Sequence, residues 1–284
     1  MTDTGKSRHN EIRGGTFNGP FLNTGTQYNV HHHRTSRIST ALGTLAALVI
    51  LITATTVVAI HLYTTSDGYK RDAEQKVVEQ LIPGAAYGRI QQKLGTVADY
   101  SANLPDGNII HQYERKWETL QFLENPSGIV LSTGIYAKSA DFHPAIKLGG
   151  WHVKLNDSTI SETLKPFIPT AANAYCGAHK AGYFEAYYPM PNATDARSVV
   201  TGISNADTEG ISVDRFCKLL VDVHCNAPDS PYQNQVSAAY ATCLLSSSSG
   251  RKLRQEMTPS VVIYTAPGGS ISGDMLRPPD QFAS

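Results

Sequence analysis

The strongest pattern in the chain is an uninterrupted apolar run near the N-terminal end of the sequence. From Ile38 to Tyr63 there is no Asp, Glu, Lys or Arg. At roughly 1.5 Å of rise per residue, a helix over Ala41–Leu62 spans the ~30 Å hydrocarbon core of a bilayer. The threonines of the run can bond to carbonyl oxygens one turn earlier, so they cost little in lipid. The pattern predicts one transmembrane helix over residues 38–63, in contact with the lipid bilayer.

A cleaved secretory signal peptide is the main alternative for this run. A signal peptide has a shorter apolar region, lies closer to the start and ends at a small-x-small cleavage site. Here the run starts at Ile38 and ends in the bulky residues Ile60-His61-Leu62-Tyr63. These features favour an uncleaved anchor.

The charges on either side of the run predict its orientation. Five basic residues precede it against Asp3 and Glu11, whereas Lys70 and Arg71 after it are interleaved with acidic residues. The basic residues before the run are Lys6, Arg8, Arg13, Arg34 and Arg37. Because Lys and Arg near a span stay on the cytoplasmic side, we expect a cytoplasmic N-terminus and an extracytoplasmic C-terminal domain.

The pattern after the span changes from helical to alternating. Residues 66–81 place Tyr69, Ala73, Val77 and Leu81 on one stripe of a helix that Pro83-Gly84 ends. A second helix over Ala86–Leu94 is capped by Gly95. Three β-prone runs follow, separated by turn residues, and together they predict an antiparallel meander. The runs are Asn108–Arg115, Trp117–Leu123 and Ile129–Ala137.

A fainter series of elements follows in the second half. The pattern predicts a helix from Asp157 to Leu164 with Asp157 or Ser158 as N-cap, then strands, two helices and a last strand. These later elements are Tyr183–Tyr188, Arg197–Ile203, Val213–Val223, Gln233–Leu245 and Val261–Thr265. The prediction is a folded α+β domain over residues 66–267, with two tandem α+β units left open, and a flexible tail over 268–284.

Residues 1–37 form a polar tail that is poor in aliphatic side chains, so we expect it to be disordered. Within it, short uncharged windows alternate Asn, Gln, Thr and Gly with apolar residues, a pattern typical of stacked cross-β assemblies. The window after Pro20 predicts self-assembly through five residues. These are Phe21, Asn23, Gly25, Gln27 and Asn29.

The lead-in Gly15-Thr16-Phe17-Asn18-Gly19-Pro20, with Asn23 two residues before Gly25, resembles the amyloid-signalling motifs found beside bacterial defence proteins and related to the necroptosis RHIM motif. Many such motifs carry Gln where this chain has Asn23. The resemblance implies that the tail stacks with copies of itself or with a cytosolic protein partner. The alternative is a low-complexity tail without a partner.

The cysteines are four in number and all lie in the C-terminal half: Cys176, Cys217, Cys225 and Cys243. An even count in one part of the chain favours disulfides in an oxidising compartment. Cys217 and Cys225 are close enough in sequence to close a loop, which would leave Cys176 with Cys243, but all three pairings remain open.

Two catalytic or metal-binding alternatives involve the same cysteines. Cys176, His179, His224 and Cys225 provide the ligand types of a zinc site, although adjacent His and Cys suit one ion poorly. Cys176 or Cys225 beside a histidine is also a candidate thiol nucleophile. Asp141, His143 and Asp157 are polar groups in the middle of the domain, and His143, just after a predicted strand, is expected to cap a loop. Among known motifs, the sequence has no phosphate loop, dinucleotide fingerprint, metalloprotease motif or nucleophile elbow, so we expect no cofactor.

Two further resemblances concern the extramembrane domain. Leu94-Gly95, Asp106-Gly107, Tyr113 and Ser127-Gly128 resemble positions of the BamE/SmpA and β-lactamase-inhibitor-protein envelope domains, which implies protein binding without catalysis. Pro83-Gly84-Ala85, Lys93-Leu94-Gly95 and the stretch from Ala137 to Pro144 resemble a family of bacterial single-pass membrane proteins labelled "ETEC", for which no activity is established.

The function that these observations favour is a membrane-tethered, non-catalytic interaction and signalling protein. Its outer domain would bind an envelope component, and its inner tail would self-assemble or engage a cytosolic partner. The formal net charge is zero, with 24 basic and 24 acidic residues, so nucleic acid is not expected as a partner. The alternatives are a membrane-anchored hydrolase or thiol enzyme with an unrecognised site, and an envelope-assembly scaffold.

Overall fold

The structure is a computed structural model, and it describes most of the chain from residue 33 onward. The described residues are 33–148, 151–164, 167–176, 181–188, 197–203, 216–218, 220, 222, 225 and 237–276, with the backbone alone at 33–44, 46, 151 and 181. The chain divides into two compact units, Met1–His61 and Leu62–Ser284. We call the second the sheet unit.

Helix α1, His33–Thr65, contains the predicted span. Within it, Ala47–Thr65 is the one segment of the described chain that is long and apolar enough to cross a membrane, with a mean hydropathy of 2.0. The hydroxyls of Thr53, Thr55 and Thr56 donate to carbonyl oxygens three or four residues earlier at 2.7–2.9 Å. A helix with the length and composition of a span is therefore confirmed, and it extends beyond the predicted residues 38–63 at both ends.

Two short helices open the sheet unit. Helix α2, Asp67–Val78, has Ser66 as its N-cap, and the Ser66 hydroxyl accepts from the Tyr69 backbone N–H at 3.3 Å. Helix α3, Tyr87–Leu94, ends at Gly95, which has the left-handed φ of 68° expected of a C-terminal cap. Between the helices, the Gly84 backbone N–H donates to the Val130 carbonyl at 2.7 Å and ties the break to the sheet.

The predicted stripe of α2 is buried only toward its C-terminal end. Leu81 is buried as predicted, but Tyr69 is 41% exposed, and Val78, which lies outside the stripe, is buried. Glu74 lies on the same face and pairs with Arg115 of the sheet region. The periodicity of the apolar residues therefore predicted the helix and the burial of Leu81, but it misplaced the inner face of the N-terminal part, where the Glu74–Arg115 ion pair takes the inner position.

An eight-stranded antiparallel sheet forms the centre of the sheet unit, in the order β1-β2-β3-β4-β10-β9-β8-β7. The first meander and the second meander meet at β10, the last strand in sequence, which pairs with both β4 and β9. A separate hairpin joins β5 and β6. The strands are β1 Tyr100–Asn103, β2 Ile109–Glu114, β3 Glu118–Glu124, β4 Val130–Ala137, β5 Ala145–Leu148, β6 Trp151–Lys154, β7 Ala171–Cys176, β8 Ala181–Tyr187, β9 Val199–Ile203 and β10 Val261–Thr265.

Three helices whose bounds are described accompany the second meander: α4 Ile160–Leu164, α5 Ala238–Ser246 and α6 Ser248–Glu256. Residues 216–218 and 220, in the region predicted as a helix over Val213–Val223, are helical as well. The N-cap of α4 is Thr159 rather than Asp157 or Ser158. The Thr159 hydroxyl accepts from the Glu162 backbone N–H at 3.3 Å, while the Glu162 carboxylate accepts from the Thr159 backbone N–H at 2.8 Å. This reciprocal pair is a capping box, in which Glu at the third helical position selects the cap.

The two faces of the sheet have different covers. Apolar side chains of all the sheet-unit helices pack on one face, against residues such as Tyr113, Leu120 and Tyr183. On the other face, Met275 and Leu276 of the 3₁₀ helix Gly273–Leu276 pack with Tyr136 and Ile263. The α+β class is confirmed, and both meanders lie in one sheet.

The C-terminal segment as far as Leu276 differs from the flexible tail expected from residue 268. Met275 is fully buried, and its backbone carbonyl accepts from the Tyr136 hydroxyl. An added Cβ at Gly134 would lie 3.3 Å from Met275 Cε, so the side-chain-free strand position gives the methionine room to approach. Residues 277–284 lie outside the described part.

All four cysteines are in disulfides, so no thiol is free. The pairs are Cys176–Cys217 and Cys225–Cys243, with Cα–Cα distances of 5.7 and 5.9 Å. Disulfide bonding is as predicted, but the suggested pairing of Cys217 with Cys225 is wrong. Cys176 ends β7 and Cys243 lies in α5, so each bond connects a regular element to the stretch between β9 and α5.

Removing either disulfide is expected to lower the free energy of unfolding in proportion to the entropy of the loop that it closes. For sequence separations of 41 and 18 residues, the loss is about 4 kcal/mol for Cys176→Ser/Cys217→Ser and about 3 kcal/mol for Cys225→Ser/Cys243→Ser. Guanidinium denaturation of the detergent-solubilised chain, followed by tryptophan fluorescence, measures both, because Trp117 and Trp151 lie in the sheet unit. A larger loss for the shorter loop would contradict this account.

Candidate functional site

A row of polar side chains crosses strands β1, β2 and β3 at one edge of the sheet. Ser101 of β1 stands directly opposite His111 of β2. Glu124, at the end of β3, stands opposite Ile109 and is therefore a diagonal neighbour of His111 on the same face. The three side chains form what we call the edge triad, Ser101–His111–Glu124.

The edge triad is connected by two short hydrogen bonds. Ser101 Oγ lies 2.7 Å from His111 Nδ1, and His111 Nε2 lies 2.6 Å from Glu124 Oε2. An ionised carboxylate only accepts, so in a neutral imidazole Nε2 is the protonated nitrogen and Nδ1 accepts from the Ser101 hydroxyl. The hydrogen-bond network thus fixes the tautomer of the imidazole.

Two tyrosines hold the imidazole in place. The Tyr87 ring stacks on the His111 ring with centroids 3.9 Å apart and an interplanar angle of 12°. The hydroxyls of Tyr87 and Tyr113 are 2.7 Å apart. Tyr87 is positioned because its backbone N–H, at the start of α3, donates to the Gly128 carbonyl at 2.9 Å. Burial, with the neighbouring Tyr113 hydroxyl, raises the pKa of Tyr87, so this ring stays neutral.

Of the three members of the edge triad, only the serine is exposed. Ser101 is exposed, whereas the side chains of His111 and Glu124 are 10% and 16% exposed. A serine on an exposed strand whose hydroxyl is hydrogen-bonded to an oriented imidazole is the arrangement used for nucleophilic activation. The edge triad is therefore the part of the described chain whose geometry offers chemistry.

A second polar cluster joins α2 to the β2–β3 hairpin. Arg115 Nη2 donates to Glu74 Oε2 at 2.8 Å, and Arg115 Nε lies 3.5 Å from Glu118 Oε1. The Glu118 side chain is fully buried. Burial, together with the adjacent Glu74 carboxylate, raises the pKa of Glu118 to about 9. One arginine thus neutralises one of two carboxyl groups, and the other keeps its proton at neutral pH.

A third polar cluster lies between α6 and the sheet, and its charged groups are paired with one another. Glu185 of β8 pairs with Arg254 at 2.6 Å between Oε1 and Nε, and it accepts from the hydroxyls of Tyr183 and Tyr187. Burial raises the pKa of both tyrosines well above the usual value. Because every charge here is matched inside the core, the cluster fastens α6 to the sheet rather than forming a reactive site.

None of the candidate site residues named from the sequence belongs to the edge triad. Phe21, Asn23, Gly25, Gln27 and Asn29 of the tail lie outside the described residues, as do His179 and His224. Because all four cysteines are in disulfides, neither the thiol nucleophile nor the Cys–His zinc site is supported. Among the described residues, no cluster of three or more His, Cys, Asp or Glu could hold a metal ion.

The three other polar residues named from the sequence have local partners. Asp141 pairs with Arg71 at 3.1 Å, His143 Nδ1 lies 3.2 Å from the Leu155 carbonyl, and Asp157 pairs with Lys154 at 3.0 Å. None of these contacts involves the edge triad. The edge triad itself was missed, because β1 is only four residues long and was not predicted as a strand.

Comparison of the chain with known protein families, characterised proteins and solved structures finds no match. The resemblances to amyloid-signalling motifs, BamE/SmpA-type domains and the "ETEC" family therefore stay predictions.

Glu118→Gln is expected to make the sheet unit more stable at alkaline pH. A carboxyl group whose pKa is raised by folding, here from 4.5 to about 9, binds its proton more tightly in the folded state. The free energy of unfolding therefore falls as pH rises through that interval. The neutral amide removes this loss, so the variant gains on the order of 1–3 kcal/mol at pH 8.5 and little at pH 4.5.

Guanidinium denaturation across that pH range measures the difference between the variant and the wild type. Glu256→Gln is the matched control, because the Glu256 side chain is 23% exposed and lies 4.0 Å from Lys252. If wild type and Glu118→Gln lost stability in parallel as pH rises, Glu118 would not hold its proton in the folded protein.

Proposed function

We propose that this chain is a single-pass membrane protein that holds an interaction and signalling domain outside the cytoplasm. The apolar segment Ala47–Thr65 supports the anchor. The excess of Lys and Arg before the span supports a cytoplasmic N-terminus. The sheet unit is then the part available to partners in the cell envelope.

The observation that carries this proposal is the pair of disulfides, both on the C-terminal side of the span. Disulfides persist in oxidising compartments and are rare where glutathione and thioredoxin keep thiols reduced. Two bonds that use every cysteine of the chain therefore favour an extracytoplasmic sheet unit. This agrees with the orientation inferred independently from the flanking charges.

The N-terminal tail is proposed as the cytoplasmic output of this protein. Its window from Phe21 to Asn29 combines amide side chains, glycine and aromatic residues without charge. Such windows stack in register because each backbone and amide group pairs with the chain above and below. The tail would then assemble with other copies of itself or with a cytosolic partner that carries a similar window.

Reporter fusions test the orientation. A reporter active only outside the cytoplasm is expected to work when fused after Ser284, and one active only in the cytoplasm to work when fused before Met1. In intact cells a membrane-impermeant protease should also remove the sheet unit and leave the tail protected. Cytoplasmic activity of the fusion after Ser284 would overturn the proposed topology.

Seeding experiments test the tail. Residues 1–37 fused to a fluorescent protein are expected to form self-propagating assemblies at high concentration, and Gly25→Pro is expected to abolish them by removing a backbone donor within the window. Gly5→Pro, which makes the same change outside the window, is the matched control and should assemble like the wild type. Diffuse fluorescence for the wild-type tail at every concentration would exclude stacking.

A further inference from the structure

We propose that Ser101 is the nucleophile of an acyl-transfer site, with His111 as general base and Glu124 as its positioning residue, and that the substrates are carboxylic esters. This inference goes beyond the interaction function and departs from the expectation of a non-catalytic domain. It rests on the edge triad alone and stands or falls independently of the tail and of the membrane topology.

The connectivity of the edge triad is that of an activated serine. A serine hydroxyl is a weak nucleophile unless a base accepts its proton as the bond to carbon forms. Here Nδ1 of His111 lies 2.7 Å from Ser101 Oγ, within the reach that general-base catalysis requires. The Glu124 carboxylate, 2.6 Å from Nε2, stabilises the imidazolium that forms when the proton moves.

The His111 side of the site is packed against the core, and the Ser101 side is open to solvent. Stacking on Tyr87 and burial fix the His111 ring, so the base needs little reorganisation before it reacts. Ser101 belongs to an edge strand and is exposed. A substrate can therefore approach Oγ from solvent without opening the core.

The backbone of β1 supplies a donor for the oxyanion. In the β1–β2 ladder the Leu104 N–H donates to the Asn108 carbonyl. Because paired and outward-facing positions alternate along an antiparallel strand, this places Ser101 at an outward-facing position. The backbone N–H of Ser101 thus points away from β2 and is available to donate to the carbonyl oxygen of an ester that Oγ attacks. One backbone donor suits esters, whose carbonyl carbon is more reactive than that of amides.

The reaction has two balanced halves. Ser101 Oγ bonds to the ester carbonyl carbon while its proton passes to His111 Nδ1; the tetrahedral intermediate then collapses, the ester C–O bond breaks, and the leaving alcohol takes the proton from Nδ1. Water next gives a proton to Nδ1 and adds to the acyl carbon. Collapse releases the carboxylic acid and returns the proton to Ser101 Oγ.

The test is covalent labelling of the full chain in detergent with a fluorophosphonate, which modifies activated serines. Peptide mapping is expected to find the phosphonyl group on Ser101. Ser127, an exposed serine of the β3–β4 turn, is the internal control and should stay unmodified. p-Nitrophenyl acetate hydrolysis should show the same dependence on Ser101, with a burst of nitrophenol as the acyl group accumulates.

Three variants separate catalysis from structure. Ser101→Ala should abolish labelling at this peptide and the burst, whereas Ser127→Ala should change neither. His111→Gln should slow labelling by about 10²- to 10⁴-fold, the range of general-base catalysis. Glu124→Gln should slow it as well and shift the pH midpoint of labelling downward, because the imidazolium loses its carboxylate. A merely structural Glu124 would leave that midpoint unchanged.

The outcome that overturns the proposal is equally specific. If Ser101 and Ser127 react with the fluorophosphonate at the same rate, or if Ser101→Ala keeps the burst, the edge triad is not a catalytic site. Tryptophan fluorescence and the thiol count of each variant verify that the chain is folded, so a misfolded variant is not mistaken for an inactive one.

Discussion

The sheet unit depends on the antiparallel pairing of β10 with β4 and β9. Each strand inside a sheet must satisfy its backbone N–H and C=O groups on both sides, and Val261–Thr265 does this for the two meanders at once. Without β10, β4 and β9 would be two unpaired edges lined by buried residues. The continuous helix-covered core and the packing of Met275 on the other face both depend on this one pairing.

Buried charged side chains lie where α2 and α6 contact this sheet. The two clusters differ in whether every carboxylate has a cationic partner. Arg254 and two tyrosine hydroxyls satisfy Glu185, so the attachment of α6 carries no unmatched carboxylate. At α2 a single guanidinium serves Glu74 and Glu118, and the second carboxyl remains neutral only by holding its proton. The contact between the sheet and the helix that follows the span is therefore sensitive to pH.

The chemical features of the sheet unit lie at opposite ends of the strand order. The edge triad is carried by β1, β2 and β3, and the first disulfide begins at Cys176 of β7, the other edge strand. The disulfides favour an oxidising compartment for the sheet unit, and the edge triad is the proposed site of ester chemistry. Because they use different strands, loss of a disulfide and loss of the serine are separable perturbations. An anchored domain with an exposed, activated serine would combine partner binding with ester chemistry at the membrane surface.

The sequence by itself determined the features that depend on near neighbours. The length of the uncharged apolar run predicted the apolar helix. Runs of β-prone residues predicted β2, β3, β4 and β10, and Gly95 predicted the end of α3. Tertiary structure decided the rest: the inner face of α2, the disulfide pairing, the packed segment up to Leu276 and the place of β10 in the middle of the sheet. His111 lay within a predicted strand, yet the edge triad was not foreseen, because its contacts depend on the register of three strands. The periodicity of apolar residues predicts which face of an element a residue occupies. The residues that it contacts depend on the hydrogen-bond register of the strands and on tertiary packing.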